Sequence, residues 1–310
     1  MTDIVTLTMN PAIDLSTSVD RVVPVRKLRC EGLRRDPGGG GINVARVVRR
    51  MGTEVTAVYT AGGAIGRLLQ TLVEREGIEG VVLQISTETR EDFTVQEGAT
   101  GHQFRFVLAG PRISEREWQA ALDALASLDP FPRYLVASGS LPLGVPDDFY
   151  RRVARLANDR HSKLVLDTSG PPLKEALAEG VFLFKPNLNE LSALLGTSSN
   201  VEKDSEKICR RIIDEGQAEV VALTLGDQGA LLATAERIWR AAALPVEPVS
   251  AVGAGDSFLG AMVWSLAAGH ALDKAFRYGM AAGTAALLSP GTELCHQDDV
   301  DRLYGDVVLQ

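Results

Sequence analysis

Asp256 closes the run Ser250-Ala-Val-Gly-Ala-Gly-Asp256 and heads a hydrophobic helical pattern that extends to about Ala268. Small residues at such a junction expose backbone amides, and the N-terminus of a helix favours negative charge. A carboxylate beside bare amides suits phosphoryl transfer. It takes a proton from an attacking hydroxyl while the amides of Ala254, Gly255 and Asp256, bared where Gly253 and Gly255 let the chain turn, stabilise the group in flight. The plainer alternative is that Asp256 only caps its helix.

Three further segments set polar groups where helices begin or strands end. Pro37-Gly-Gly-Gly-Gly41-Ile-Asn43 leads into the helical pattern Val44 to Met51. Gly38 and Gly39 there offer room and main-chain donors, and the Asn43 amide suits sugar hydroxyls, although a bare glycine hinge would look the same. A dinucleotide-binding turn is disfavoured, because Arg34-Arg35-Asp36-Pro37 is a poor central strand. Lys185-Pro-Asn187-Leu-Asn-Glu190 follows the apolar strand Val181 to Phe184, at the carboxyl edge where α/β sheets bind ligands. Asn187 and Glu190 share one helical face and either orient a hydrated magnesium ion or close a capping box. Thr224-Leu-Gly226-Asp-Gln-Gly229 ends another strand, where glycines either admit a nucleotide or make an ordinary hairpin. No GxxxxGK[ST] loop and no HRD or DFG segment occurs.

Composition narrows the field. At 310 residues, with 45% hydrophobic and 23% charged, the chain has the makings of a large globular core. A formal net charge of -8 disfavours a nucleic-acid partner. Cys30, Cys209 and Cys295 are odd in number and far apart, which fits neither a disulfide framework nor a zinc site and points to a reducing cytoplasm. His102, His161, His270 and His296 lack ligand spacing. Met1 to Asn10 lacks a basic start followed by an apolar run, so no secretory leader is expected, and no apolar stretch is long enough to span a bilayer.

These groups need a frame, and the chain supplies α/β alternation. Strand-like runs at Ile4 to Leu7, Val55 to Thr60, Val81 to Ile85, Tyr134 to Ala137, Leu164 to Leu166, Val181 to Phe184 and Val220 to Thr224 are separated by helical patterns such as Leu68 to Glu76, Asp147 to Asn158 and Lys203 to Glu215. A mostly parallel sheet between helices is predicted. Two stretches interrupt it, Ser16 to Asp36 and Asp92 to Leu108. In the second, Phe93, Val95, Phe104 and Phe106 alternate around the turn-prone Glu97 to His102. They predict a small separate sheet, either a lid over the crevice whose apolar face pairs two subunits or a simple antiparallel extension.

In their order, Asn10-Pro-Ala-Ile-Asp14, the glycine run with Asn43, Lys185-Pro-Asn-Leu-Asn-Glu190, Thr224-Leu-Gly226 and Gly253-Ala-Gly-Asp256 resemble the pfkB, or ribokinase-like, family of carbohydrate kinases, across essentially the whole chain. The resemblance implies a three-layer α/β/α domain from residues 1–15, 37–88 and 111–310, and a dimerising β-lid from 16–36 and 89–110. It implies ATP-dependent phosphorylation of fructose 6-phosphate at its 1-hydroxyl. A 1-phosphofructokinase, a tagatose-6-phosphate kinase, a kinase of unphosphorylated sugars and a noncatalytic sensor stand as alternatives. By resemblance Asp14, Gly38, Gly39, Asn43 and Ser140 hold the sugar, while Arg90, Arg105 and a neighbouring subunit's Lys27 meet its phosphate. Lys185, Asn187, Thr224, Gly226, Gly229, Met280 and Thr284 line the ATP side, and Glu190, with Asn187, organises Mg2+. Backbone carbonyls of Ser250, Val252, Ala286, Ser289 and Gly291 would ring K+, and Glu293 stands beside them where Arg is expected.

Overall fold

The computed structural model describes residues 2–196 and 201–310; Met1, at the head of the segment searched for a leader, lies outside them. The chain enters through β1 (Ile4–Thr8), leaves the body along β2 (Ala12–Val19) and β3 (Glu31–Gly38), and returns by α1 (Gly40–Arg50). After β4 (Thr56–Ala61), α2 (Gly63–Arg75) and β5 (Glu79–Gln84) it departs again along β6 (Arg90–Glu97) and β7 (Gln103–Phe106). The second half alternates regularly: α3 (Glu115–Ala126), β8 (Tyr134–Ser138), α4 (Phe149–Asp159), β9 (Lys163–Asp167), α5 (Pro171–Leu177), β10 (Val181–Phe184), α6 (Leu188–Leu195), α7 (Ser205–Asp214) and β11 (Ala218–Thr224). A hairpin of β12 (Ala230–Ala233) and β13 (Ile238–Ala241) and three helices, α8 (Ala254–Ala267), α9 (Leu272–Leu287) and α10 (Gln297–Tyr304), complete it.

Strands β1, β4, β8 and β10 are buried along their whole length, as strands covered on both faces must be. They belong to a nine-stranded sheet in the order β13-β12-β11-β10-β9-β8-β1-β4-β5. The pairs from β11 to β5 are parallel, and only β12 and β13 run antiparallel. Alternation sends successive side chains to opposite cores. Ile4 joins Ile42, Phe258 and Phe276 beneath α1, α8 and α9, whereas Val5 and Leu7 join Phe149, Tyr150 and Leu191 on the other face. Among the described residues no helix is long and apolar enough to cross a membrane.

The two excursions form one four-stranded sheet, β3-β2-β6-β7. The β6–β7 hairpin pairs Phe93 with Phe106 and Val95 with Phe104. The sheet is mixed, because β2 and β6 run parallel from Ala12↔Arg90 to Val19↔Glu97. Its faces differ in kind. Asp14, Asp36, Asp92, Thr94 and Arg105 lie on one, while Leu33, Phe93 and Phe106 lie on the other and remain exposed. Strands β2 and β3 run across the divisions expected at residues 15 and 36, since Asp14, paired with Asp36, and Gly38, paired with Ala12, belong to the small sheet. Arg34-Arg35-Asp36-Pro37 is a strand after all, but on an edge, where a proline's missing donor does no harm.

Candidate active site

Helix α8 starts at Ala254 with Gly253 as its cap, so Asp256 is the third helical residue and the capping role considered for it is wrong. The cap falls three residues earlier, at Gly253, whose left-handed φ of 77° suits a glycine. The first firm bond of the helix runs from the Ser257 amide to the Gly253 carbonyl at 2.8 Å, and the Ala254 amide is 3.5 Å from the Ala251 carbonyl. Among the described residues the amides of Gly255 and Asp256 have no backbone acceptor, which leaves donors at the positive end of the helix dipole.

Helix α1 brings Asn43 to the same place. Gly39, at φ 111°, caps it, and the Asn43 side-chain nitrogen donates to Asp256 Oδ2 at 2.8 Å. One turn further on, a Cβ at Gly260 would sit 2.8 Å from Val47 Cβ, so the bare glycine sets how closely α1 and α8 approach. Burial, helped by Asp167, lifts Asp256 to about 6, against the Asn43 bond and the cations Lys185 and Arg105. Gly38 makes room for a residue of the site rather than directly for a ligand: its missing side chain would overlap the Asp14 carboxylate. Asp14 is lifted to about 7, first by burial and then by Asp92, which faces it across β2 and β6.

At the end of β10, Lys185 is buried and its Nζ lies 3.2 Å from Asp167 Oδ1. Burial alone would lower this lysine, but Asp167, Glu190 and Asp256 hold it above its ordinary value. A Cβ at Gly255 would lie 3.4 Å from Nζ, so the ammonium sits beside the free amides of α8. Asn187 and Glu190 form a reciprocal capping box at 2.9 Å in each direction. The Thr224 amide donates to the Pro186 carbonyl, which ties β11 to this loop. Gly226 opens a single 3-10 turn and has free space beside it, whereas Gly229 accommodates the Ala241 carbonyl and not an open surface. Met280 and Thr284 are buried along α9.

The small sheet supplies the opposite wall. Arg90 donates to the carbonyls of Leu108 (2.9 Å) and Asn10 (3.2 Å) and lies 3.5 Å from Asp92, while its buried Nε has no partner. Arg105 is exposed on β7 and lowers the pKa of both Asp14 and Asp256. Ser140 accepts from the Asn10 side chain at 3.0 Å. Lys27 lies on the exposed β2–β3 loop, and among the described residues it makes no hydrogen bond or ion pair within the chain.

Residues 250 and 289–293 run beneath the small sheet. Ser250 Oγ donates to the Gly291 carbonyl at 3.0 Å and receives the Val252 amide at 3.2 Å, and the Ser289 amide donates to the Ala286 carbonyl. A donor set of main-chain carbonyls fits an alkali ion better than Mg2+, which demands near-octahedral oxygen ligands, several of them water. Glu293 pairs with Arg34 of β3 and with His296. Among the described residues no group of three His, Cys, Asp or Glu side chains is arranged to hold a metal, but Glu190 keeps Oε1 free while Oε2 serves its cap.

Sequence reasoning missed Asp167, Arg46 and Thr292. Asp167 terminates β9 in register with Ser138, in the same way that Lys185 follows β10, and that strand-end position was its readable signal. Arg46 and Thr292 had none, since their role depends on which helices meet.

A model of the "pfkB family carbohydrate kinase" matches residues 3–299. The chain is 46% identical over 301 residues to ATP-dependent 6-phosphofructokinase isozyme 2 of Mycobacterium tuberculosis, covering 97% of this chain and 88% of that protein. It superposes on Escherichia coli phosphofructokinase-2 solved with potassium (TM-score 0.93, 38% identity) and with fructose-6-phosphate (TM-score 0.92, 37% identity), each over 99% of both chains. A 1-phosphofructokinase of Bacillus subtilis is 31% identical over 98% of each chain.

Proposed function

Because the chain belongs to the pfkB family of carbohydrate kinases, we propose that it transfers the γ-phosphoryl group of ATP to the 1-hydroxyl of fructose 6-phosphate. The observation that carries this reading is Asp256, held by Asn43 beside the free amides of α8 and faced by Lys185 and Arg105. Asp256 takes the proton of the acceptor hydroxyl as its oxygen attacks in line. The amides of Ala254, Gly255 and Asp256 stabilise the transferring group, and no phosphoenzyme forms. With its pKa raised to about 6, Asp256 remains a carboxylate at neutral pH yet is a stronger base than an ordinary aspartate.

Asp14, Gly38, Gly39, Asn43 and Ser140 hold the sugar, and Arg90 and Arg105 meet its 6-phosphate with forked donors that suit phosphate oxygens. Lys185, Asn187, Thr224, Gly226, Met280 and Thr284 line the nucleotide side. Glu190 and Asn187 would hold Mg2+, which when bound would offset charge on the nucleotide phosphates, and the carbonyls of Ser250, Val252, Ala286, Ser289 and Gly291 would hold K+, which would stiffen the α8 turn. The exposed Leu33, Phe93 and Phe106 support a homodimer through the lid, with Lys27 reaching the neighbour's phosphate. Three free cysteines fit a cytoplasmic setting.

The test is a coupled ADP-release assay with MgATP and potassium that compares fructose 6-phosphate, fructose 1-phosphate, tagatose 6-phosphate and free fructose. The highest kcat/KM is expected with fructose 6-phosphate, and Arg90→Ala should raise its KM at least about 10-fold. A preference for fructose 1-phosphate, or for free fructose with no effect at Arg90, overturns the substrate assignment. Absence of turnover on every sugar favours a sensor.

A further inference from the structure

We propose that Arg46 is a positioning residue for catalysis, whose guanidinium fixes the Asn43 amide in the single orientation that presents its nitrogen to Asp256. The proposal rests on the reading of Asp256 as the base.

Arg46 is entirely buried within α1, a costly place for a charge without compensation. Its charge is answered by Glu76, 2.9 Å from Nε, and by Asp36, 3.6 Å from Nη2; Arg50 shares the same Glu76. That pairing would suffice to keep a guanidinium inside the fold. Nη1 does something else: it donates to the Pro37 carbonyl (3.2 Å), the Thr292 carbonyl (3.1 Å) and Asn43 Oδ1 (3.3 Å). Arg46 and Asn43 are three residues apart on one helix, so both reach the same side.

An amide has unlike ends, because its oxygen only accepts and its nitrogen only donates. Asn43 lies between a guanidinium, which only donates, and a carboxylate, which only accepts. In the observed orientation both ends are paired. A flipped amide would set donor against donor and acceptor against acceptor, leaving buried groups unmatched on both sides. Without Arg46 nothing on the Oδ1 side distinguishes the two orientations. With it, Asn43 engages Oδ2 of Asp256, and Oδ1 is left without a hydrogen-bond partner among the described residues, available to an acceptor hydroxyl. The Pro37 and Thr292 contacts anchor the guanidinium to the glycine run and to the loop after α9, so Arg46 cannot follow Asn43 if the amide turns.

The full-length protein is assayed as wild type, Arg46→Gln, Arg46→Lys, Asn43→Ala and the Arg46→Gln/Asn43→Ala double variant, by kcat and KM against pH and by thermal melting. The other charged groups facing Asp256, namely Asp14, Arg105, Asp167 and Lys185, are unaltered throughout. Arg46→Gln should lower kcat roughly 10- to 100-fold with KM for ATP within about twofold. Its acid limb of kcat should move to higher pH, since a misdirected amide no longer lowers the pKa of Asp256. Lysine should restore part of kcat, and the double variant should be no slower than Asn43→Ala alone. The assignment is overturned by an unchanged acid limb, or by a double variant that loses the product of the two single effects. It is also overturned if even Arg46→Lys fails to fold, which would make Arg46 a core residue only. An Asp256→Asn protein that keeps its activity defeats the base reading instead, whatever the outcome at Arg46.

Discussion

The crevice has two unlike walls. On the main-sheet side the polar side chains hold one another: Asn43 with Asp256, Lys185 with Asp167, and Asn187 and Glu190 in a reciprocal cap. On the small-sheet side Arg105 and Lys27 are exposed, and Arg90 leaves a buried nitrogen without an acceptor. The first wall is preorganised by helix packing, and the second keeps cationic donors in reserve. Chemistry should therefore depend on the first and substrate recognition on the second.

The largest effect is expected at Asp256. Asp256→Asn should lower kcat about 10³-fold, and wild-type kcat should fall as pH drops through about 6, where the base becomes protonated. The linked stability runs the other way. The folded pKa, about 6, lies above the ordinary 3.8, so the fold is most stabilised below pH 4 and loses that contribution as pH rises through 6. At pH 7 the asparagine variant should be more stable by on the order of 3 kcal/mol, read by denaturant melts. Lys185→Met comes next. It leaves Asp167 buried without its cation, so about 3 kcal/mol of stability and at least about 10-fold in KM for ATP should be lost.

Gly260→Ala sharpens the contrast from within the rigid wall. Alanine is the better helix former, but here its methyl would push Val47 and carry α1 away from α8. A loss of about 1–3 kcal/mol is expected, with kcat falling and KM for the sugar phosphate nearly unchanged. Phe93→Ser with Phe106→Ser should do the reverse: a smaller species in gel filtration, a KM raised several-fold at low protein concentration, and kcat within about twofold. If these lid changes lower kcat as far as Gly260→Ala does, the two walls are not separable.

Much of this was legible in the sequence. The β6–β7 hairpin was readable because Phe93, Val95, Phe104 and Phe106 keep strict alternation on either side of a turn. Asp256, Asn43 and Lys185 stood out because each sits beside glycines or at a strand end, where a polar residue has no packing reason to be. What stayed hidden depended on long-range approach. Asp167 looks like an ordinary end of β9 until Lys185 arrives from β10. Arg46 reads as a surface residue on a helix because local sequence carries no mark of Glu76 or Thr292. The cap of α8 was displaced for a related reason: several small residues in a row leave the turn position open, and the left-handed backbone at Gly253 decides it.

The parallel pairing of β2 with β6 has a consequence for how the chain folds and opens. Parallel neighbours cannot meet through a hairpin, and here α1, β4, α2 and β5 all intervene between them. Closing so long a loop is entropically expensive until the intervening elements have found their own places. The small sheet should be the last part of the molecule to assemble and the first to come apart, exchanging its amide hydrogens well before the nine-stranded sheet does. Under mild denaturant the protein would then lose its grip on the sugar while its body remains folded, and inactivation would precede global unfolding.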